Sequence, residues 1–181
     1  VIGKNNKIRE CVSINSGTEG GGGLTKIGNN CLFMLGSHVA HDCTIGNNVV
    51  IANNGSIGGH VVINDNVIVG GLSGIHQFCR IGEGAMIGAV TMVSKDVIPF
   101  GMVVGDRCSL NGINLIGLKR RGFSNKEILA LQKDFNFLFH GDGNLKDKAE
   151  KIYNSNGKDL INVIAAFILA DTSRKITTPI N

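Results

Sequence analysis

Tryptophan is absent from the 181 residues, tyrosine occurs once and proline twice. No apolar run is long enough to span a bilayer, which excludes a membrane-embedded helix, and the N-terminus carries no secretory signal. Charge is also scarce: a net charge of +4 is far too small to argue for a nucleic-acid partner. What the chain has in plenty is glycine, 26 residues of it. Glycine supplies backbone angles that other residues resist, so this composition suits a regular coil with many tight corners.

The pattern of aliphatics bears this out. From Ile27 onward every sixth residue is apolar: Ile27, Phe33, Val39, Ile45, Ile51, Ile57, Ile63, Val69, Ile75, Ile81, Ile87 and Val93. A helix asks for spacing near 3.6 and a one-faced strand for 2; neither produces a strict 6. A period of six is the mark of a solenoid whose short strands each give one large aliphatic to a shared interior. Four places after each aliphatic stands a slim residue, for example Cys31, Ser37, Cys43 and Val49. One bulky and one slim inward residue per strand is what a narrow triangular prism holds. Cys31, Cys43 and Cys79 fall at the slim position and read as small core residues, not disulfides or metal ligands. Reduced, buried thiols fit a cytoplasmic protein.

The prism is expected over residues 1–106, with a C-terminal α-helical domain over 107–181. Ile2, Ile8 and Ile14 share the period of six, but the register slips by one across Ser16 to Thr25. Val1-Ile2-Gly3 reads like the middle of a repeat, so further coils are expected N-terminal to this chain. The glycine-rich run from Gly17 to Gly23 interrupts the pattern. It lacks the Lys-Ser/Thr and following helix of a phosphate cradle, and reads as a flexible loop or a flap over a ligand. Pro99 and Gly101 mark the end of the prism. Beyond them, Ser124 and Glu127 form a capping box, followed by an apolar face of Ile128, Leu131, Phe135, Leu138 and Phe139, with Gly141 as the stop. Further helices are expected at 145–153 and 159–170.

Three strands of six residues make an 18-residue coil, so residues 18 apart lie one above another, about 4.8 Å apart. Folded this way, His38, His41, His60 and His76 fall within one five-residue window of the cross-section. Gly59 and Gln77 lie one and two coils above His41, and Asp42 lies directly beneath His60. Polar residues gather at the solvated corners of any solenoid, but a stack of four imidazoles with Asp, Gln and Gly is a site. A neutral imidazole oriented by Asp42 can serve as a general base. Three histidines can equally hold zinc with an open position for water. A second cluster, Lys119-Arg120-Arg121, is either a solvated surface or, lying beside that cleft, a phosphate-binding fork.

Three segments carry a family resemblance: His38-Val-Ala-His-Asp-Cys-Thr-Ile-Gly, then Gly70-Gly71 followed by Ile75-His-Gln-Phe, then Gly117-Leu-Lys-Arg-Arg-Gly-Phe. With the repeats and helical tail, they resemble the UDP-N-acetylglucosamine acyltransferases that begin lipid A biosynthesis. The resemblance implies a left-handed parallel β-helix, the recognised exception to right-handed crossovers. It also implies a cytoplasmic homotrimer of a Gram-negative-type bacterium, with active clefts between neighbouring prisms. Such an enzyme moves an R-3-hydroxyacyl chain from acyl carrier protein to the 3-hydroxyl of UDP-N-acetylglucosamine, with no cofactor and no metal.

By the same resemblance His41 is the catalytic base, Asp42 its orienting partner, and the Gly59 amide the oxyanion donor. His38, His60, His76 and Gln77 position substrate, Asn114, Arg120 and Arg121 contact the nucleotide and its phosphates, and Ala89 limits acyl length. Ile116 departs from the family, which commonly has an acidic residue there. The rival readings are the related lipid A N-acyltransferase, a γ-type zinc carbonic anhydrase and a non-catalytic scaffold.

Overall fold

Each repeat begins with an extended pair whose second residue points inward, and the chain then turns by about 120° to start the next. The computed structural model describes residues 1–155, 159–170 and 174–180. Their two-residue strands stack into three parallel sheets, the walls of a prism. The first wall contains Leu32–Phe33, Val50–Ile51, Ile68–Val69 and Met86–Ile87; the second Ser13–Ile14, His38–Val39, Ser56–Ile57, Gly74–Ile75 and Met92–Val93; the third Lys26–Ile27, Thr44–Ile45, Val62–Ile63 and Arg80–Ile81. All twelve periodic apolar residues and the slim residues after them are buried. Each large aliphatic withdrawn from water contributes about 1.5–3 kcal/mol, so the axial stack is the main source of stability.

Wherever the register is regular, ladder partners such as Leu32 and Val50 are 18 residues apart. Lys7 pairs with Leu32 and Ser13 with His38, a spacing of 25. The slip of one is therefore an insertion of seven residues, looped out at the corner between the second and third walls. That loop carries a 3₁₀ turn at Glu19–Gly21.

The prism does not give way directly to helices after Pro99. Gly101–Val104 adds to the first wall, and Ser109–Ile113 folds back antiparallel against it. Four helices follow: α1 (Leu115–Arg120), α2 (Asn125–His140), α3 (Leu145–Asn154) and α4 (Leu160–Leu169). The Ser124–Glu127 capping box is present, and α2 buries Ile128, Leu131, Phe135 and Leu138. A buried ion pair fastens the helices to the last coil. Arg80 Nε lies 2.7 Å from Asp96, its Nη2 donates to the Phe167 carbonyl of α4, and its guanidinium stacks 4.3 Å from the Phe167 ring.

Candidate active site

The corner between the second and third walls brings together residues from three coils. His41, Gly59 and Gln77 occupy one corner position; Asp42, His60 and Phe78 occupy the next, in the left-handed conformation at φ of 60°, 59° and 65°. His41 Nδ1 lies 2.9 Å from Asp42 Oδ2. A carboxylate only accepts, so Nδ1 carries the proton and Nε2 keeps its lone pair for a substrate. The His41 side chain is 39% exposed while that of Asp42 is 1% exposed, which leaves the imidazole accessible and the carboxylate shielded.

Asp42 is held from below as well. Thr18 donates to it from both its hydroxyl, at 2.7 Å, and its amide, at 3.1 Å. Thr25 accepts from the Asp42 amide at 2.8 Å. The Thr18 hydroxyl first, with the His41 ring and the Thr18 amide, holds the Asp42 carboxyl at about 2, below the ordinary range and against the opposing effect of desolvation. Thr25 keeps the regular register, one coil below Cys43, whereas Thr18 lies on the seven-residue insertion, whose Gly21 roofs the dyad. A Cβ there would meet the Asp42 carboxylate and, at 2.7 Å, the His60 ring. The glycine run is thus seated over the dyad.

His60 packs edge-on against His41, centroids 5.2 Å apart, and stacks on Phe78 at 4.6 Å. Gly59 lies directly against the His41 imidazole: a Cβ on it would stand 2.8 Å from Nε2. Among the described residues the Gly59 amide has no protein acceptor. His38 Nδ1 bonds to Ser13 Oγ at 2.8 Å. His76 is met by Arg174, whose Nη2 lies 2.8 Å from its Nδ1. The four histidines expected together therefore share one edge of the second wall. Beside them runs a groove of about 320 Å³, largely apolar, lined by His38, Ser56, Gly74, His76 and Met92. Ala89 lies at the opposite edge of that wall, in the turn before Met92–Val93.

Asn114, Arg120 and Arg121 are elsewhere. They line a pocket of about 400 Å³ on the first wall, floored by Val50, Ile68 and Met86. The basic cluster is therefore not beside the histidine corner of its own chain, because α1 packs back over the wall that Gly101–Val104 extends. The Asn114 amide caps α1 by accepting from Gly117 and donates to the Gly84 carbonyl, both at 3.0 Å. Arg121 pairs with Glu83 and lies over the Phe100 and Phe123 rings. Arg120 is exposed, and so is Ile116 in the same pocket.

His41, Asp42 and His60 have ligand atoms within 4.8 Å of one another, close enough for a metal ion. Asp42, however, already accepts from Thr18 and His41, so a metal would have to dismantle the dyad. The thiol of Cys43 is buried in the core and pushed up by that burial, which disqualifies it as a nucleophile.

A coil of six-residue repeats bearing a histidine–aspartate dyad at one edge defines a hexapeptide-repeat transferase, and residues 24–59 match the bacterial transferase hexapeptide family model. Residues 96–177 match the model described as UDP N-acetylglucosamine O-acyltransferase, domain 2. The acyl-[acyl-carrier-protein]–UDP-N-acetylglucosamine O-acyltransferase of Paracoccus denitrificans is 55% identical over 98% of this chain and 67% of its own length. The Campylobacter lari enzyme of the same name is 52% identical over 97% and 66%. The solved UDP-N-acetylglucosamine acyltransferase from Campylobacter jejuni superposes with a TM-score of 0.92 at 42% identity, covering 98% of this chain and 69% of that one. The chain belongs to the UDP-N-acetylglucosamine O-acyltransferase family and shares its left-handed β-helix. It spans about two thirds of the length of the curated relatives it matches.

Proposed function

We propose that the protein transfers an R-3-hydroxyacyl chain from acyl carrier protein to the 3-hydroxyl of UDP-N-acetylglucosamine, the first step of lipid A biosynthesis. The observation that carries this reading is the His41–Asp42 dyad lying against Gly59 beside an apolar groove. The names of the relatives state the same two substrates.

His41 Nε2 removes the proton of the sugar hydroxyl as its oxygen attacks the thioester carbonyl. The tetrahedral oxyanion accepts from the Gly59 amide. When the carbon–sulfur bond breaks, the imidazolium returns the proton to the departing phosphopantetheine thiolate. General-base catalysis supplies about 10²–10⁴-fold and one fixed oxyanion donor about 10²–10³-fold. The reaction needs no acyl-enzyme, metal or cofactor. The groove along the second wall takes the acyl chain, and Ala89 limits how far it extends.

The nucleotide pocket and the dyad lie on different walls, which supports a homotrimer. Three prisms arranged about a threefold axis set the first wall of one copy against the histidine edge of the next. The exposed apolar side chains of Leu72, Val90 and Met92, each more than 60% accessible, suit that contact. Buried free thiols and the absence of any helix long and apolar enough to cross a membrane among the described residues fit a cytoplasmic site of action.

Mass spectrometry of products from UDP-N-acetylglucosamine and a set of acyl carrier protein thioesters tests the reading. A 3-O-acylated sugar nucleotide is expected. Product formed solely from a UDP-3-acylglucosamine would overturn it in favour of the N-acyltransferase.

A further inference from the structure

Arg174 reaches the histidine edge from the far end of the chain, and the backbone after it is pinned. Ile176 forms a parallel bridge with Asp96, whose amide donates to the Lys175 carbonyl and whose carbonyl accepts from the Thr177 amide, both at 2.8 Å. Asp96 is itself fixed by Arg80. From this anchorage Arg174 Nη2 stands 2.8 Å from His76 Nδ1 and 3.0 Å from the Gln77 carbonyl oxygen.

We infer that Arg174 is a positioning residue that holds His76 as the neutral Nε2–H tautomer, making this imidazole a hydrogen-bond donor to an acceptor oxygen of the acyl substrate. A guanidinium has donors and no acceptor. The ring nitrogen facing it must therefore present a lone pair, which leaves the proton on Nε2. His76 Nδ1 also lies 3.3 Å from the Gln77 carbonyl oxygen. In this tautomer those two atoms are both acceptors, and the two protons of Arg174 Nη2 bridge them. Without Arg174 the ring gains by reversing: Nδ1–H would donate to the Gln77 carbonyl and Nε2 would become an acceptor. One side chain from the tail thus decides the polarity that His76 shows to the groove it lines. Among the described residues Nε2 has no protein partner, so its donor is available to a ligand. A carbonyl or hydroxyl oxygen of the 3-hydroxyacyl chain fits; a donor group does not. The inference rests on the acyl-transfer reading for the ligand, but not for the tautomer.

The test combines long-range ¹⁵N–¹H spectra of histidine-labelled protein with steady-state kinetics. In the wild type the His76 resonances are expected to report a protonated Nε2 and a bare Nδ1. Arg174→Met should reverse that pattern, while Arg174→Lys, which keeps a cationic donor, should preserve it. Losing one donor to a buried ligand oxygen corresponds to about 5- to 150-fold in affinity. Arg174→Met is therefore expected to raise KM for the acyl thioester within that range, with kcat little changed and an unaltered melting temperature. In a His76→Ala background the same change should add nothing. A protonated Nδ1 in the wild type, unchanged ring shifts in Arg174→Met, or an undiminished effect of that variant without His76 would each overturn the inference. A reversed tautomer with unchanged KM would overturn the ligand assignment. If the wild type transfers no acyl group, the functional reading fails while the spectra still decide the tautomer.

Discussion

At the corner returning the chain from the third wall to the first, the exposed amides are closed off by a side-chain ladder. Lys4 donates to Asn29, the Asn29 amide to Asn47, and the Asn47 amide to Asp65, at 2.7–2.9 Å. The next residues, Asn30, Asn48 and Asn66, take the left-handed conformation that asparagine tolerates well. At the corner between the second and third walls, the same backbone positions hold His41, Gly59 and Gln77, then Asp42, His60 and Phe78. Among the described residues no ladder runs here and the Gly59 amide has no acceptor, and bulky rings occupy left-handed positions at about 1–3 kcal/mol each. One corner is completed by the protein itself. The other leaves the Gly59 amide without an acceptor among the described residues, as the proposed oxyanion role requires.

That contrast can be broken most severely at His41. His41→Ala should lower acyl transfer at least about a hundredfold without moving the melting temperature, and near-normal turnover would refute the base assignment. Gly59→Ala comes next. Its methyl would stand 2.8 Å from His41 Nε2, and a displacement of about 1 Å can lower rate by about 100-fold; kcat should fall by that order while the fold holds, as circular dichroism would show. Thr18→Val removes the hydroxyl bond that most lowers the Asp42 carboxyl. Because that carboxyl is depressed in the folded state, its stabilisation is present above its ordinary value near 3.8 and is lost as pH falls toward about 2. The variant should melt below the wild type at neutral pH, and the gap should close as the solution is acidified through that window. Asn47→Ala, at the opposite corner, should cost about 1 kcal/mol by stranding the Asn29 amide and leave kcat untouched. Denaturant titration beside the acyl-transfer assay separates the two. Smallest of all, Phe78→Asn should relieve left-handed strain, leaving stability equal or slightly raised, while turnover falls a few-fold as His60 loses its stack.

Most of the prism was legible in the sequence because its stabilising contacts recur at a fixed interval. All twelve apolar residues from Ile27 to Val93 are inside for that reason, and the histidine stack follows from the same interval. The register slip was visible too, but a slip of one is the same for one inserted residue or seven, so the length of the loop was not. The antiparallel return of Ser109–Ile113 and the short α1 carry no period long enough to read. Thr18 and Arg174 were missed because their partners lie 24 and 98 residues away and fall off the 18-residue lattice. The same limit hid the position of Arg120 and Arg121: no repeat relates α1 to any wall.

The glycine-rich excursion carries a consequence for how such a molecule tolerates change. Since Ser13 and His38 remain in step across it, a vertex of the prism absorbs added chain without disturbing the storeys above and below. Lengthening or shortening the sequence at such an elbow alters only what is draped over the neighbouring face. Losing one residue from a strand turns that storey inside out.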